Sequence, residues 1–428
     1  MTISRRLAAI ALAVTLSGVV SVVPASAQNP DPPESPPVQL GPVVLAPVLR
    51  LSDFGYDSNI LNRAEADNPE SDITAVFIPS LEGWLRMAHL RVTGRGQFDM
   101  HYFKTRNDLN AVDTDVAGRI DLPINRLTPY VTGTLIDARY RPSLEIDSLS
   151  RRRTASVTAG LDLRLTPKLV ANVNAHAARL EYDANSLYLG SDLADELNHD
   201  GRGEGVQLRM ALTPYTTVGA YLDRNRDRFD TSPERDADSS QIGTFVEFNP
   251  AALISGRASI AFLNSQFRSG TVPDFNGTIM QADLTYTMRA RTQILVGARR
   301  QLNYSYIPGQ QQYVEAGFST KLTQRIGEAW DVGFQVGWGH LSYLEGTAAP
   351  PILPDGGGTT PPPTPASTSK PPGETTWNAA IDLGYNLRRT RLGFHFDNLD
   401  RASDENTAAS AVRATVRTRI GSTISYTF

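Results

Sequence analysis

The sequence predicts an all-β protein, a transmembrane antiparallel up-and-down β-barrel of about 18 strands, within a range of about 16–18. Three observations predict it. Apolar and polar side chains alternate with period two along most of the chain. Aromatic residues bracket the apolar faces of the best-defined segments. The last segment alternates in the same way and ends on Phe428.

Alternation carries the most weight. In Leu90–Tyr102, Leu90, Val92, Phe98, Met100 and Tyr102 share one side with Gly94 and Gly96. Arg91, Thr93, Arg95, Gln97, Asp99 and His101 share the other. Successive side chains of a strand point to opposite faces, so such a strand has one apolar and one strongly polar face. The pattern repeats in 277–289, 330–338 and 377–387. Soluble sandwiches alternate too. What discriminates is that Trp330/Trp338 and Trp377/Tyr385 bracket their apolar faces, the girdle arrangement of strands that face lipid.

Segments of this kind start near residues 43, 73, 90, 111, 129, 153, 169, 204, 217, 240, 253, 277, 292, 311, 328, 375, 391 and 410. Short connections alternate with long ones, as periplasmic turns alternate with outer loops in such barrels. An even strand number places both barrel ends on the periplasmic side.

Ahead of the barrel, 1–27 reads as a secretory signal peptide. Arg5 and Arg6 form the basic end, Leu7–Val23 the apolar stretch, and Ala25-Ser26-Ala27 the cleavage site; an uncleaved anchor is the other reading. Residues 28–42 carry six prolines, cannot pair in a sheet and read as a periplasmic tail. The barrel then occupies 43–428. Within it, 346–374 is a low-complexity extracellular loop with Gly356–Gly358 and the prolines from Pro361; a domain linker is the alternative.

Composition excludes several classes. The chain has no cysteine, which removes disulfides, thiolate catalysis and Cys-ligated zinc. A formal charge of −4 gives no basic surface for nucleic acid. None of the six histidines (His89, His101, His176, His199, His340, His395) sits in a motif that fixes a nucleophile beside it. The acidic run Asp192–Asp200 lacks EF-hand spacing and reads as a solvated loop. No enzyme, cofactor or metal site is therefore expected.

Four cations are lysines (Lys104, Lys168, Lys321, Lys370) and the remainder of the 41 are arginines. If the apolar faces meet lipid, the polar faces line a lumen. The candidate lumen and selectivity residues are Arg91, Arg95, Arg289, Arg299, Arg391, Arg413, Arg417 and Arg419. Two readings stay open. Arginines paired with the inward carboxylates would stiffen the wall. Arginines left free, above all the strip Arg413, Arg417 and Arg419 with Arg391 beside it, would attract anions.

The chain end Ile424, Tyr426, Phe428 resembles the terminal strand of bacterial outer-membrane proteins, which implies recognition by the barrel assembly machinery. Residues 47–51 followed by Phe54-Gly55-Tyr56-Asp57-Ser58-Asn59-Ile60 resemble the opening of the Putative beta-barrel porin 2 family of proteobacterial outer-membrane proteins. That resemblance implies outer-membrane localisation and an association with exopolysaccharide synthesis, hence polysaccharide-export partners. The membrane reading itself implies contact with outer-membrane lipid and lipopolysaccharide. Function is expected to be that of a passive pore, for exopolysaccharide export or for small hydrophilic solutes. The alternative is a non-conducting barrel whose outer loops bind a ligand or partner.

Overall fold

The computed structural model describes residues 38–64, 67–269, 274–344, 372–403 and 414–428. Eighteen antiparallel strands form one closed sheet: β1 (Val43–Asp57), β2 (Asp72–Arg86), β3 (Arg91–Phe103), β4 (Ala111–Asp121), β5 (Leu127–Tyr140), β6 (Ser150–Thr166), β7 (Leu169–Tyr182), β8 (His199–Thr213), β9 (Thr216–Phe229), β10 (Ala237–Phe248), β11 (Ile254–Phe267), β12 (Phe275–Met288), β13 (Thr292–Tyr304), β14 (Gln312–Ile326), β15 (Trp330–Tyr343), β16 (Glu374–Leu387), β17 (Thr390–Ser403) and β18 (Thr415–Thr427). Each strand pairs with the next in sequence, and β1 closes the barrel on β18, from Val48 opposite Thr427 to Asp57 opposite Arg419. Closure leaves no free edge, the only way a sheet can satisfy its backbone in lipid.

Most strand starts fall where the alternation puts them. β8 begins five residues early, at His199 instead of 204, because its first residues alternate glycine with charge and carry no apolar side chain. β18 begins at Thr415 instead of 410, and 404–413 lie outside the described residues. Also outside are 1–37 and 345–371, which include the expected signal peptide, most of the proline-rich stretch and nearly all of the low-complexity loop. One expectation about that stretch needs correction. Val38–Leu40 does pair, antiparallel to Val43–Leu45. These three residues include no proline, and Gly41 at φ 61° makes the reversal.

One end of the barrel carries short turns. The β12–β13 connection spans three residues between the paired Met288 and Thr292, and its Arg289 and Ala290, at φ 50° and 55°, are the central residues of a primed turn. The other end carries the long loops, so it is the outer end. Register places the aromatics as expected. Trp330 lies opposite Tyr385 and Trp338 opposite Trp377 on the outward face. The two pairs are eight residues apart, about 26 Å along the strand. There is no central apolar core. Outward side chains such as Ile260, Phe334 and Ile381 stay about half exposed, as a lipid-facing surface must in the absence of lipid. The buried apolar cluster lies instead among the outer loops.

Candidate functional site

Inward side chains form a ladder of ion pairs on the lumen wall. Arg209 on β8 reaches Asp162 on β6 at 2.5 Å. Arg391 on β17 reaches Asp331 on β15 at 2.6 Å. Lys321 on β14 reaches Asp382 on β16 at 2.7 Å. Each of these pairs spans an intervening strand. For the last two, that strand presents a glycine inward. A Cβ at Gly384 would stand 2.4 Å from Asp331 Oδ1, and one at Gly333 3.2 Å from the Asp382 carboxylate. Glycine is thus what lets these pairs lie flat on the wall. Arg299 pairs with Glu315, Arg417 with Asp57, and Arg419 Nε with Asp397 at 2.9 Å.

The remaining candidates have looser settings. Arg95 faces Asp115 at 3.4 Å and is well exposed. Arg91 stands at the periplasmic end of β3, opposite Arg86 on one side and Asp121 on the other. Arg289 was expected on a lumen face but occupies the periplasmic turn, because β12 ends at Met288. Arg413 lies outside the described residues. Ile424, Tyr426 and Phe428 all face outward at the periplasmic rim, the two rings edge to face at 4.9 Å.

The feature that alternation could not reveal is a cap inside the outer mouth. The 141–149 loop, between β5 and β6, turns inward and crosses to the 305–311 loop between β13 and β14. Those loops belong to opposite sides of the barrel. Ser305 Oγ donates to Glu145 Oε1 at 2.5 Å, and the Tyr306 N–H donates to Glu145 Oε2 at 3.3 Å. Glu145 is fully buried, and Ile146, Tyr306 and Ile307 are nearly so. They pack with Leu341, Tyr313 and Tyr343 from the wall and with Leu193 and Leu197 from a short helix, α1 (Leu193–Leu197). That helix is cut from the acidic run read as a solvated loop. Asp192 caps it through the Ala194 N–H, and its two leucines face the cluster.

Arg235, from the 230–236 loop, is the cap's keystone. Its side chain is 1% exposed. It pairs with Glu196 of α1 and donates to the Ser305 and Ile307 carbonyls, both at 3.1 Å. On the other flank Asp147 accepts from Asn62 at 2.8 Å and meets Arg401 at 3.0 Å. Arg141 donates to the Ile60 carbonyl at 2.6 Å, and burial, with Arg417 adding to it, pulls its guanidinium below the ordinary arginine range against the pull of Asp147. Five outer loops therefore meet over the lumen through hydrogen bonds and one apolar cluster.

A barrel of this strand number, with a charged lumen and an inward-folded loop cap, has the build of a porin. The Putative beta-barrel porin 2 family matches this chain over residues 32–349. The chain belongs to that family. It is accordingly a porin-like protein of the outer membrane. Among solved structures, its fold is similar to the outer membrane protein OpdK of Pseudomonas aeruginosa, at 10% identity and a TM-score of 0.45, covering 90% of this chain and 98% of that one. It is similar to P. aeruginosa OpdO at 12% identity and 0.45, covering 90% and 97%. It is similar to Acinetobacter baumannii OccAB3 at 10% identity and 0.44, covering 90% and 99%. No curated protein matches the sequence.

The residues that resemble the opening of the porin family have a visible task. Asp57 takes both Arg417 nitrogens and accepts from the Asn59 N–H at 3.0 Å. Ser58 Oγ accepts from the Thr418 N–H at 2.8 Å. Asn59, 1% exposed, donates to the carbonyls of Arg63 at 2.8 Å and Val416 at 3.3 Å. The Asp57–Ile60 element thus stitches the first outer loop to β18, where the barrel closes. Only the strand order makes these partners neighbours, since 360 residues separate Asp57 from Arg417.

Proposed function

We propose that this protein is a passive pore for small hydrophilic solutes, whose width is set by the inward-folded cap. The observation that carries the reading is the buried contact of Glu145 with Ser305 and Tyr306 across the lumen. A polar, water-filled lumen of this strand number would otherwise pass large solutes. The paired arginines support a second part of the proposal: the lumen discriminates by size more than by charge, and the closing-strand arginines Arg417 and Arg419 stiffen the seam instead of drawing anions. Export of an exopolysaccharide would require the Glu145 contacts to open. Ile424, Tyr426 and Phe428, exposed along the outward rim, suit recognition by the barrel assembly machinery.

Planar-bilayer conductance tests the proposal on the full barrel and on a variant lacking residues 143–148. Wild type is expected to conduct modestly and the deletion several times more. If both fold and neither conducts, the pore reading fails and the non-conducting surface barrel replaces it. Liposome swelling with oligosaccharides of rising length separates the solutes. Passage of long oligomers through wild type would favour export.

A further inference from the structure

On the outward face, β8, which holds the paired Arg209 inside, and its neighbour β9 carry a different set. Register fixes which face each residue takes. On β8 and β9, Val206, Leu208 and Leu222 face lipid. The same parity, continued toward the outer end, presents Arg202, Glu204, Arg224 and Arg226. Arg202 lies directly opposite Arg226, and Arg224 opposite Glu204. All four side chains are exposed.

Two guanidiniums placed directly opposite on one sheet face repel. Glu204 neutralises only one charge, approaching Arg226 at 3.3 Å. Arg202 and Arg224 have no ion pair among the described residues. Two other acids share this face: Asp238, opposite Arg226, is held by Arg228 at 2.5 Å, and Asp200, two residues from Arg202, lies 3.5 Å from Arg179, which Glu181 and Asp230 also meet. Arg202, Arg224 and Arg226 outnumber Glu204 and the more distant Asp200, which leaves a local excess of about one positive charge.

Height decides what can answer that charge. Arg224 stands as far along β9 from its periplasmic start as Trp338 does along β15, and Trp338 belongs to the outer aromatic pair. The cluster therefore lies at the headgroup level of the outer leaflet. Just below it, an apolar groove of about 710 Å³ is lined mostly by outward residues, with Ala220 and Ala258 between Leu208 and Met280. Cations above an apolar groove match a ligand with phosphate above acyl chain.

We propose that Arg202, Arg224 and Arg226 bind the phosphate of a phosphorylated, acylated glycolipid of the outer leaflet, with an acyl chain in the groove beneath. A phosphate monoester carries about two negative charges at neutral pH and is drawn to such a positive excess. Charge-assisted bonds to three guanidiniums supply the affinity.

The test measures binding of bis-phosphorylated lipid A to the full barrel in detergent. The variant R202Q/R224Q/R226Q keeps the strands, and heat-modified electrophoretic mobility checks that it is folded. Wild type is expected to bind lipid A with an affinity higher than the variant's by at least about tenfold. Dephosphorylated lipid A is expected to bind wild type as weakly as the variant binds lipid A. Inorganic phosphate is expected to compete only at far higher concentration. Equal binding by the folded variant, or equal binding of the dephosphorylated lipid, overturns the proposal. So does full competition by inorganic phosphate at the lipid's own concentration. The result does not depend on whether the lumen conducts.

Discussion

The lumen wall and one outward patch on β8 and β9 use arginine in opposite ways. Inside, Arg209, Arg391 and Arg419 each meet a carboxylate within 3 Å, and the pair lies along the wall. Outside, near the outer rim, Arg202 faces Arg226 directly across a strand pair, and neither Arg202 nor Arg224 has an ion pair among the described residues. Parity places the two groups on opposite faces, although other outward arginines, such as Arg151 with Asp137 and Arg228 with Asp238, are paired as the inward ones are. An inward arginine shares a confined lumen with fixed carboxylates and is neutralised by the protein. An outward arginine at headgroup height can be left unneutralised, because the membrane supplies anions. One residue type therefore reads as wall reinforcement on one face and as a lipid contact on the other.

The largest effect is expected where an inward pair closes the barrel. R417A strands the Asp57 carboxylate, which is 3% exposed, beside β18. Removing one partner of a buried pair costs about 3–5 kcal/mol. The urea midpoint of unfolding should fall accordingly, and R202A, on the outward face, should barely move it. Equal losses for the two would erase the contrast between faces.

Next comes the cap. R235A leaves Glu196 and the Ser305 and Ile307 carbonyls without their donor. Single-channel conductance is expected to rise severalfold, with more frequent switching between levels. Unchanged conductance would show that another contact holds the 305–311 loop in place.

A smaller effect is expected from G384A. The added methyl would collide with Asp331 and Arg391, so the pair must lift off the wall at about 1–3 kcal/mol. Thermal melting in detergent reads this, and an unshifted melt would mean that the pair can lie elsewhere at no cost.

The smallest effect sharpens the charge argument. Reversal potential should move toward cations in R391Q and toward anions in D331N. In R391Q/D331N it should stay at the wild-type value. A double variant that still moves toward cations would show that Arg391 sends its field into the lumen in spite of Asp331.

Much of this protein was legible before any fold was built. Strand rhythm, turn positions and the outward aromatics of β15 and β16 follow from a period of two, which is local information. Two departures from the expected pattern are informative, the start of β8 and the end of β12. At β8 the alternation of Gly201, Gly203 and Gly205 with Arg202 and Glu204 shows no apolar face, yet Gly203 is needed because Asn225 and His176 lie over it. At β12 the positive φ of Arg289 belongs to a turn, and an arginine gives no hint of that.

What the sequence by itself determined is the class: a barrel wall, its parity, its strand number and its family resemblance. All four rest on spacing along the chain. Tertiary structure alone decided which charges meet and which loops turn inward. Asp57 finds Arg417 only because eighteen strands close on themselves, and Glu145 finds Ser305 only because two loops face each other across that circle. Such contacts depend on curvature and closure, which no local period records.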